Sequence, residues 1–256
     1  MVSTPIKQQK TDAPLVIAIE GNIGIGKSTL LHLLKKRVHA QPPARPVPLP
    51  THDSPRRRNL AAEPGVLFVD EPVALWERHG LLGAMYTGEL SRVAFQLMAL
   101  STRYSSLQAA LREPGVQVVV VERSIWSDKS IFAAVNLETE AELAAYEASH
   151  ASLCGDALPE LRHATLLLDA PLETIEDRIS QRARAQEAAG EGSGGIPRAY
   201  LQRLHEAHLN YFASVQHAKQ RIDSTGAPAD VAKAVLDSIA SFRNEAGGSP
   251  VSTMGL

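Results

Sequence analysis

The sequence predicts an α/β protein with a parallel sheet of about five strands, helices on both faces and a helical lid. Short runs of nearly continuous Val, Ile and Leu alternate with longer helix-like segments along the 256 residues. Strands buried on both faces have such apolar runs, and strand–helix alternation is typical of parallel sheets. The glycine-rich turn GNIGIGKST follows the first run and opens a helix. This context indicates a P-loop NTPase-type fold.

The elements follow from these patterns in chain order. Strands are predicted at Pro14–Glu20, Gly65–Asp70, Gly115–Glu122 and His163–Asp169. A fifth strand is predicted at Gln220–Asp223 from its place in the alternation, since QRID is barely apolar. Helices are predicted over Ser28–Val38, Ser91–Leu111, Ser127–Leu153, Pro171–Arg184, Pro197–Ala218 and Pro228–Asn244.

One catalytic domain is predicted over residues 14–243, between a flexible N-terminus at 1–13 and a disordered tail at 244–256. Residues 39–64 hold seven of the 16 prolines and show no periodicity, which predicts a flexible surface insertion. The glycine-rich residues within 185–197 lie between two helical segments, which favours a mobile lid.

The composition is that of an ordinary globular protein and excludes several classes. With a net charge of −2, the chain lacks the basic balance expected for general binding to nucleic acid or anionic membranes. Its single cysteine cannot form an internal disulfide. No apolar run approaches the roughly 20 residues of a membrane span. We therefore expect a cytoplasmic protein with a small-molecule substrate.

The glycine-rich turn predicts a phosphate cradle. Gly21, Gly26, Lys27 and Ser28 match G-x-x-x-x-G-K-[ST], in which glycines let backbone N–H groups surround phosphate oxygens. Lys27 is expected at the β- and γ-phosphates and the Ser28 hydroxyl at Mg²⁺, so the predicted ligands are ATP and Mg²⁺. The cradle is predicted to comprise Gly21, Asn22, Ile23, Gly24, Ile25, Gly26, Lys27, Ser28 and Thr29.

Charged residues follow two further strands, at the sheet edge where open α/β folds bind ligands. Glu71 could accept the proton of an attacking hydroxyl, although a carboxylate here is also common as a helix N-terminal charge. Glu122 could hold Mg²⁺ together with Ser28, and Arg123 could hold phosphoryl oxygens. Taken alone, Glu122 and Arg123 would also fit a surface ion pair.

Three arginines, Arg178, Arg182 and Arg184, precede the predicted lid. Arg178 and Arg182 are four residues apart, so they share a helix face and repel each other unless an anion lies between them. A solvated basic face is the alternative. Beside a P-loop and a lid, we interpret the three as donor-binding residues that clamp the phosphates.

The ordered motifs resemble those of the deoxyribonucleoside kinase family. They are GNIGIGKST, EPVALW, FQ with a following arginine, ERSIWSDKSIFA, and an arginine-rich lid closed by GIPRAYLQRLHEAH. The resemblance covers about Ile17 to Phe242, apart from the proline-rich insertion. It implies an ATP-dependent deoxynucleoside 5′-kinase of nucleotide salvage and DNA precursor synthesis. It also implies a homodimer formed through long helices.

The resemblance implies catalytic roles for residues that the motifs already contain. Glu71 matches the general base that takes the proton of the nucleoside 5′-hydroxyl. Glu122 and Arg123 match the pair that handles Mg²⁺ and phosphate, and Lys27 matches the P-loop lysine. The arginines before the lid match those that lie near the phosphate donor.

It likewise implies a set of nucleoside contacts. Trp76 and Phe132 match aromatic walls around the base, and Gln96, beside Phe95, matches the amide that pairs with the base edge. Contacts to the sugar 3′-hydroxyl are implied for Tyr86 and Glu187.

Arg103 and Asp128 bear on which base is bound. Arg103 lies seven residues after Gln96, about two helical turns along the same face. An Arg–Asp pair over the base occurs in members that resemble deoxycytidine and deoxyguanosine kinases. We therefore predict dC, dA or dG in preference to thymidine, the alternative being that Arg103 and Asp128 form only a structural ion pair.

Two other functions remain open. A nucleoside monophosphate kinase, such as a thymidylate kinase, shares the P-loop fold but needs no carboxylate base, because its acceptor is a phosphate. A catalytically silent P-loop subunit would be expected to lose its chemistry-bearing residues first. A regulatory GTPase is disfavoured because DSTGAPAD lacks the Asn-Lys-x-Asp motif that reads guanine.

Overall fold

The computed structural model describes residues 13–40, 65–155, 161–182 and 196–245. They form a five-stranded, wholly parallel sheet with the strand order β2-β3-β1-β4-β5. The strands are β1 Leu15–Glu20, β2 Val66–Val69, β3 Val118–Glu122, β4 His163–Asp169 and β5 Lys219–Asp223. The predicted α/β fold class is confirmed, including the weakly apolar fifth strand.

Ten α-helices and one π-helical turn connect and cover the strands in the described part of the chain. They are α1 Lys27–Ala40, α2 Val73–Arg78, α3 Leu81–Thr87, α4 Arg92–Leu111, α5 Ile125–Asp128, the π-turn Lys129–Ala133, α6 Ala134–Asn136, α7 Glu140–Cys154, α8 Leu172–Arg182, α9 Arg198–Ser214 and α10 Pro228–Glu245. Five of the predicted helices correspond to α1, α4, α8, α9 and α10. None of the described helices is both long and apolar enough to cross a bilayer.

The predicted continuous helix Ser127–Leu153 is wrong. The chain leaves the helical conformation at Leu137, whose ψ is 121°, and a new helix begins after Thr139. There the Thr139 hydroxyl accepts from the backbone N–H of Glu142, while the Glu142 carboxylate accepts from the backbone N–H of Thr139. This reciprocal capping box satisfies two helix-end donors and therefore separates α7 from the segment before it.

Two further differences concern short or terminal segments. Helices α2 and α3 were not predicted, because each spans two turns or fewer and Gly80, in the left-handed conformation, divides them. Helix α9 ends at Ser214 rather than at Ala218, since Val215 is extended and leads into β5.

Helices cover both faces of the sheet, as predicted. On β1, Leu15, Ile17 and Ile19 belong to the core that includes α1 and α10 residues. Val16 and Ala18 point the other way, into a core with α4 and α7 residues. This alternation of side-chain direction is that of a strand buried on both faces. The central strand therefore carries the P-loop out of a rigid two-sided core.

Several predicted segments lie outside the described residues. These are 41–64 of the insertion, 183–195 of the lid with Arg184 and Glu187, and the terminal residues 1–12 and 246–256. Residues 39 and 40, which were predicted to begin the insertion, form the end of α1.

Candidate active site

The P-loop joins the end of β1 to the start of α1, and its glycines are required by the backbone. Gly21 has a φ of 144°, and a Cβ there would lie 2.7 Å from the carbonyl oxygen of Leu168. Gly26 has a φ of 109°, and apart from its chain neighbours no heavy atom of the described residues lies within 4 Å of such a Cβ. The turn therefore needs glycine for close packing at Gly21 and for its conformation at Gly26, where the space stays open to a ligand.

Lys27 of the P-loop is buried. Its Nζ donates to the carbonyl oxygens of Gly21 at 2.9 Å and Asn22 at 2.8 Å. Burial, reinforced by the nearby Arg123, lowers the pKa of Lys27 from 10.5 to about 7. An arriving polyphosphate would favour the protonated ammonium. The lowered pKa means that a bound anion would stabilise the charged form of this lysine.

Ser28 and Glu122 bring two oxygen ligands together at the P-loop. The Ser28 hydroxyl donates to Glu122 Oε1 at 2.8 Å, joining the first turn of α1 to the end of β3. Hydroxyl and carboxylate oxygens are the hard donors that Mg²⁺ prefers. This donor set, facing the open phosphate cradle, fits the Mg²⁺ expected from the sequence.

Glu71 lies just after β2 and is held by two arginines from other elements. Arg123 Nε donates to Glu71 Oε2 at 3.2 Å, and Arg103 Nη2 pairs with Glu71 Oε1. Burial alone would raise the pKa of Glu71, but Arg123 and then Arg103 outweigh it and lower the pKa from 4.5 to about 2. Glu71 is therefore an ionised carboxylate, poised on the wall of a cavity.

Arg123 is held in an unusual backbone conformation. Its φ is 63°, and no other non-glycine residue in the described ranges has a positive φ. Its backbone N–H donates to the carbonyl oxygen of Ile19 at 3.1 Å, and its Nη1 donates to that of Gly21 at 3.2 Å. The next residue, Ser124, donates its N–H to Glu20 Oε1 at 2.9 Å. Residues at the end of β1 thus hold this strained turn in place.

Arg103 and Asp128 form a buried ion pair, as predicted. Arg103 comes from α4 and Asp128 from α5, and the same guanidinium also contacts Glu71. The guanidinium carbon lies 5.3 Å from the centroid of the Trp76 ring and 5.7 Å from that of Phe132. Arg103 therefore connects Glu71 to the aromatic end of the site.

An amide with an unpaired oxygen lies among these aromatic residues. Gln96 is 5 % exposed, and its Oε1 accepts no hydrogen bond from the described protein atoms. Trp76 and Phe95 pack edge to face beside it, with their ring centroids 5.5 Å apart. A buried acceptor without a partner costs free energy unless a ligand supplies a donor. This end of the site is suited to a flat ligand with polar edges.

One cavity of about 500 Å³ joins the two ends. Most of the predicted site residues line it: Ile23, Gly24, Ile25, Gly26, Lys27, Ser28, Thr29, Glu71, Trp76, Tyr86, Phe95, Gln96, Arg103, Glu122, Arg123, Phe132, Arg178 and Arg182. Gly21 and Asn22 are buried within the P-loop and do not line the cavity, and Asp128 lies behind Arg103. A triphosphate and a second small molecule can therefore meet at Glu71.

Several other residues that line the cavity were not predicted from the sequence. They include Leu82, Met85, Asn136 and Tyr200 around the aromatic end, and Gln181, Ser224, Gly226 and Pro228 near the P-loop. Leu82 and Met85 belong to α3, which is too short to give a helical pattern in the sequence. Tyr200 lies in a segment whose pattern predicted only a helix.

Arg178, which was predicted to clamp the donor phosphates, also contacts the protein backbone. Its Nη1 donates to the carbonyl oxygen of Ile25 at 2.9 Å, and its Nη2 donates to that of Ser224 at 2.6 Å. It thereby ties the P-loop to the loop after β5. Arg178 and Arg182 both face the cavity from α8, as their spacing predicted.

Comparison with known proteins identifies the family. The family model described as deoxynucleoside kinase matches residues 57–240. Rat deoxycytidine kinase is 32 % identical over 208 residues, covering 76 % of this chain and 74 % of that protein. Thymidine kinase of Ictalurid herpesvirus 1 is 28 % identical over 227 residues, covering 87 % and 85 %. Mitochondrial deoxyguanosine kinase of Xenopus laevis is 26 % identical over 220 residues, covering 82 % and 77 %. The chain therefore belongs to the deoxynucleoside kinase family, and it is an ATP-dependent nucleoside kinase.

Proposed function

We propose that this kinase transfers the γ-phosphoryl group of ATP to the 5′-hydroxyl of dC, dA or dG in preference to thymidine. The observation that carries this proposal is the single cavity that runs from the P-loop to Gln96, with Glu71 on its wall. A carboxylate between the two ends suits an alcohol acceptor, which must lose a proton on attack.

At the donor end, the P-loop backbone and Lys27 hold the triphosphate, and Arg178 and Arg182 lie beside it. Ser28 and Glu122 would hold Mg²⁺ through their oxygens. When bound, this cation neutralises charge on the β- and γ-phosphates. Arg184 is proposed to join this group, although it lies outside the described residues.

Transfer proceeds by in-line displacement. The 5′-oxygen forms a bond to the γ-phosphorus as the bond from that phosphorus to the β,γ-bridging oxygen breaks and ADP leaves. Glu71 takes the 5′-hydroxyl proton, and Arg123 and Lys27 stabilise the charge on the transferring group. Positioning supplies much of the rate, because both reactants are held in one cavity.

At the nucleoside end, the base is proposed to lie between Trp76 and Phe132, with its edge at Gln96. The free Oε1 of Gln96 can accept from an exocyclic amino group, which dC, dA and dG carry and thymidine lacks. Arg103, held by Asp128, is proposed to occupy the space that a 5-methyl group would need. Thymidine remains the competing substrate, because one relative is named a thymidine kinase.

The sugar contacts complete the proposed site. Tyr86 lines the cavity and is proposed to contact the 3′-hydroxyl. Glu187 is proposed as its partner from a lid segment that lies outside the described residues.

We further propose a homodimer that acts in the cytoplasm, where a thiol such as Cys154 stays reduced. Helices α4 and α7 are the proposed interface. They pack side by side, and Leu143 on α7 is one of two large apolar side chains that are at least 36 % exposed in the described residues. Light scattering on the purified chain gives the molar mass that tests the dimer.

The test is a phosphorylation assay with MgATP and each of dA, dC, dG, thymidine and their monophosphates. Wild type should phosphorylate nucleosides, and Glu71→Gln should lower kcat by at least roughly 10²-fold while still binding ATP. Glu77→Gln, an exposed glutamate on α2, is the matched control and should keep wild-type activity. Turnover of monophosphates alone would make the chain a monophosphate kinase, and ATP binding without any turnover would make it a silent subunit.

A further inference from the structure

We propose that Tyr146 is a positioning residue for nucleobase selection: it fixes Asp128, which holds Arg103 at the base edge. Tyr146 lies on α7 and does not line the cavity. The inference rests on the proposed nucleoside kinase function, which it deepens by adding a specificity-determining residue behind the cavity wall.

The geometry places Asp128 between two donors on different helices. The Tyr146 hydroxyl donates to Asp128 Oδ2 at 2.5 Å, and Asp128 Oδ1 accepts from Arg103 of α4. Tyr146 is fully buried, and Asp128 is 1 % exposed. Each carboxylate oxygen therefore has its own donor in a region from which water is excluded.

This arrangement fixes the direction in which Asp128 faces. A carboxylate held at one oxygen can turn about its Cβ–Cγ bond, whereas one held at both oxygens cannot turn without breaking a hydrogen bond. Without the tyrosine hydroxyl, Oδ2 would also be a buried acceptor with no partner. Burial, and then the neighbouring Asp128, raise the pKa of Tyr146, so that its hydroxyl remains a donor at neutral pH.

Tyr146 is itself anchored independently of the site. The capping box of Thr139 and Glu142 fixes the start of α7. One turn after Tyr146, a ring nitrogen of His150 lies 3.0 Å from the carbonyl oxygen of Ile125 at the start of α5. Helix α7 is thereby tied to α5, the helix that carries Asp128. Tyr146 can therefore hold Asp128 against a fixed support.

The consequence for substrate choice follows from the position of Arg103. Its guanidinium is shared between Asp128 and Glu71, and its Nε–H donates to no acceptor among the described protein atoms. If Asp128 is loosened, the pull of Glu71 on Arg103 is no longer balanced, and the guanidinium moves away from the base edge. Loss of the Tyr146 hydroxyl should therefore change which base is preferred more than it changes the chemical step.

The experiment compares Tyr146→Phe with wild type, using MgATP and the four nucleosides. The measured quantity is the kcat/KM of the best substrate among dC, dA and dG, divided by that of thymidine. We expect this ratio to fall roughly tenfold, mainly through the nucleoside KM, with the KM for ATP unchanged. Tyr104→Phe, the same substitution in α4 at a tyrosine outside this network, should leave the ratio unchanged.

A second comparison, made in the Asp128→Ala variant, separates a positioning role of Tyr146 from a general structural role. In Asp128→Ala the acceptor of the hydroxyl is gone, so adding Tyr146→Phe should leave the ratio at the Asp128→Ala value. If Tyr146→Phe alone does not fold, this double variant removes the unpaired acceptor and supplies the same comparison. An unchanged ratio in Tyr146→Phe, or an equal further change in the Asp128→Ala background, would overturn the inference.

Failure of the proposed function can be distinguished from failure of the inference about Tyr146. Calorimetric binding of the four nucleosides yields the corresponding ratio of affinities without turnover. A wild type that binds nucleosides but does not phosphorylate them disproves the kinase proposal and still tests Tyr146 through affinities. A wild type that binds none of the four overturns both proposals.

Discussion

Arg103 bridges Glu71 and Asp128, contacting each carboxylate with a different terminal nitrogen of one guanidinium. The proposed general base and the proposed base-reading pair thus share one cation. While Arg103 and Arg123 hold Glu71, its pKa of about 2 makes it a weak base. A nucleoside that draws Arg103 toward its base edge would free Glu71 to accept a proton, which couples base recognition to the reaction.

Replacement of Arg103 should therefore change the acid side of the pH–rate profile. In wild type Glu71 stays ionised down to about pH 2, so it adds no loss of kcat/KM between pH 4.5 and 7. In Arg103→Met one cation and one hydrogen bond are lost, and burial then raises the pKa of Glu71 toward or above 4.5. The ratio of variant to wild-type kcat/KM should fall as the pH drops below about 5.5.

The matched control for this profile is Arg92→Met, which removes an exposed arginine that pairs with Glu138. Its ratio to wild type should be flat with pH. A flat ratio for Arg103→Met as well would show that Arg103 does not set the ionisation of Glu71.

Removal of the whole Arg103–Asp128 pair should open the site to thymidine. Arg103→Met with Asp128→Ala eliminates both charges together, so neither remains buried without its partner. The vacated space can take a 5-methyl group, and thymidine kcat/KM should rise roughly tenfold relative to dC. The measurement is a competition assay with both nucleosides present. A wild-type enzyme that already prefers thymidine to dC would contradict this prediction.

ATP binding should take up protons through Lys27. Its pKa of about 7 leaves it mostly neutral at pH 8, whereas a bound polyphosphate favours the ammonium. Calorimetry in buffers of different ionisation enthalpy should show uptake of roughly 0.9 proton per site at pH 8 and roughly 0.1 at pH 6. Lys27→Arg stays charged and should lack this uptake, so equal uptake in the variant would assign the protons to another group.

The lowered pKa of Lys27 also makes the free energy of unfolding depend on pH. Folded Lys27 binds fewer protons than unfolded Lys27 between pH 7 and 10.5, because its pKa is lowered in the folded state. The free energy of unfolding should therefore gain a contribution that rises with pH across this window.

The fold and much of the site could be predicted because their causes are local or topological. The P-loop depends on glycines within one turn, and parallel strands bring Glu71, Glu122 and Arg123 to one edge of the sheet whatever their separation in sequence. The break after Leu137 carried a local signal too, since TEAE matches a capping box. Helical periodicity on both sides concealed that signal.

The shared contacts of Arg103 could not be predicted, because they depend on rotamers and on three segments meeting in space. Tyr146 reads in the sequence as one aromatic residue of an amphipathic helix, and Glu20 as the polar end of an apolar strand. Their partners lie 18 and 104 or more residues away in sequence. Only the packed structure shows that Tyr146 contacts Asp128 and that Glu20 contacts the turn next to Arg123.

Glu20 gives a final prediction about the turn that carries Arg123. Glu20 Oε1 accepts from the Ser124 N–H and the Ser127 hydroxyl, while its Oε2 is buried without a partner in the described residues. Glu20→Gln keeps an acceptor oxygen for both donors and should stay within roughly threefold of wild-type kcat. Glu20→Leu leaves the buried Ser124 N–H unpaired, which should lower the free energy of unfolding by about 1–3 kcal/mol.

The leucine variant should also lose rate, because the strained turn can relax and carry Arg123 away from Glu71. A displacement of about 1 Å can cost roughly 10²-fold in rate. Single-turnover kinetics at saturating ATP and nucleoside measure this loss, and denaturant unfolding measures the stability. If the two variants lose rate equally, the acceptor oxygen is irrelevant and the negative charge of Glu20 is what matters. If Glu20→Leu lowers the free energy of unfolding but keeps the wild-type single-turnover rate, Glu20 supports the fold without positioning Arg123.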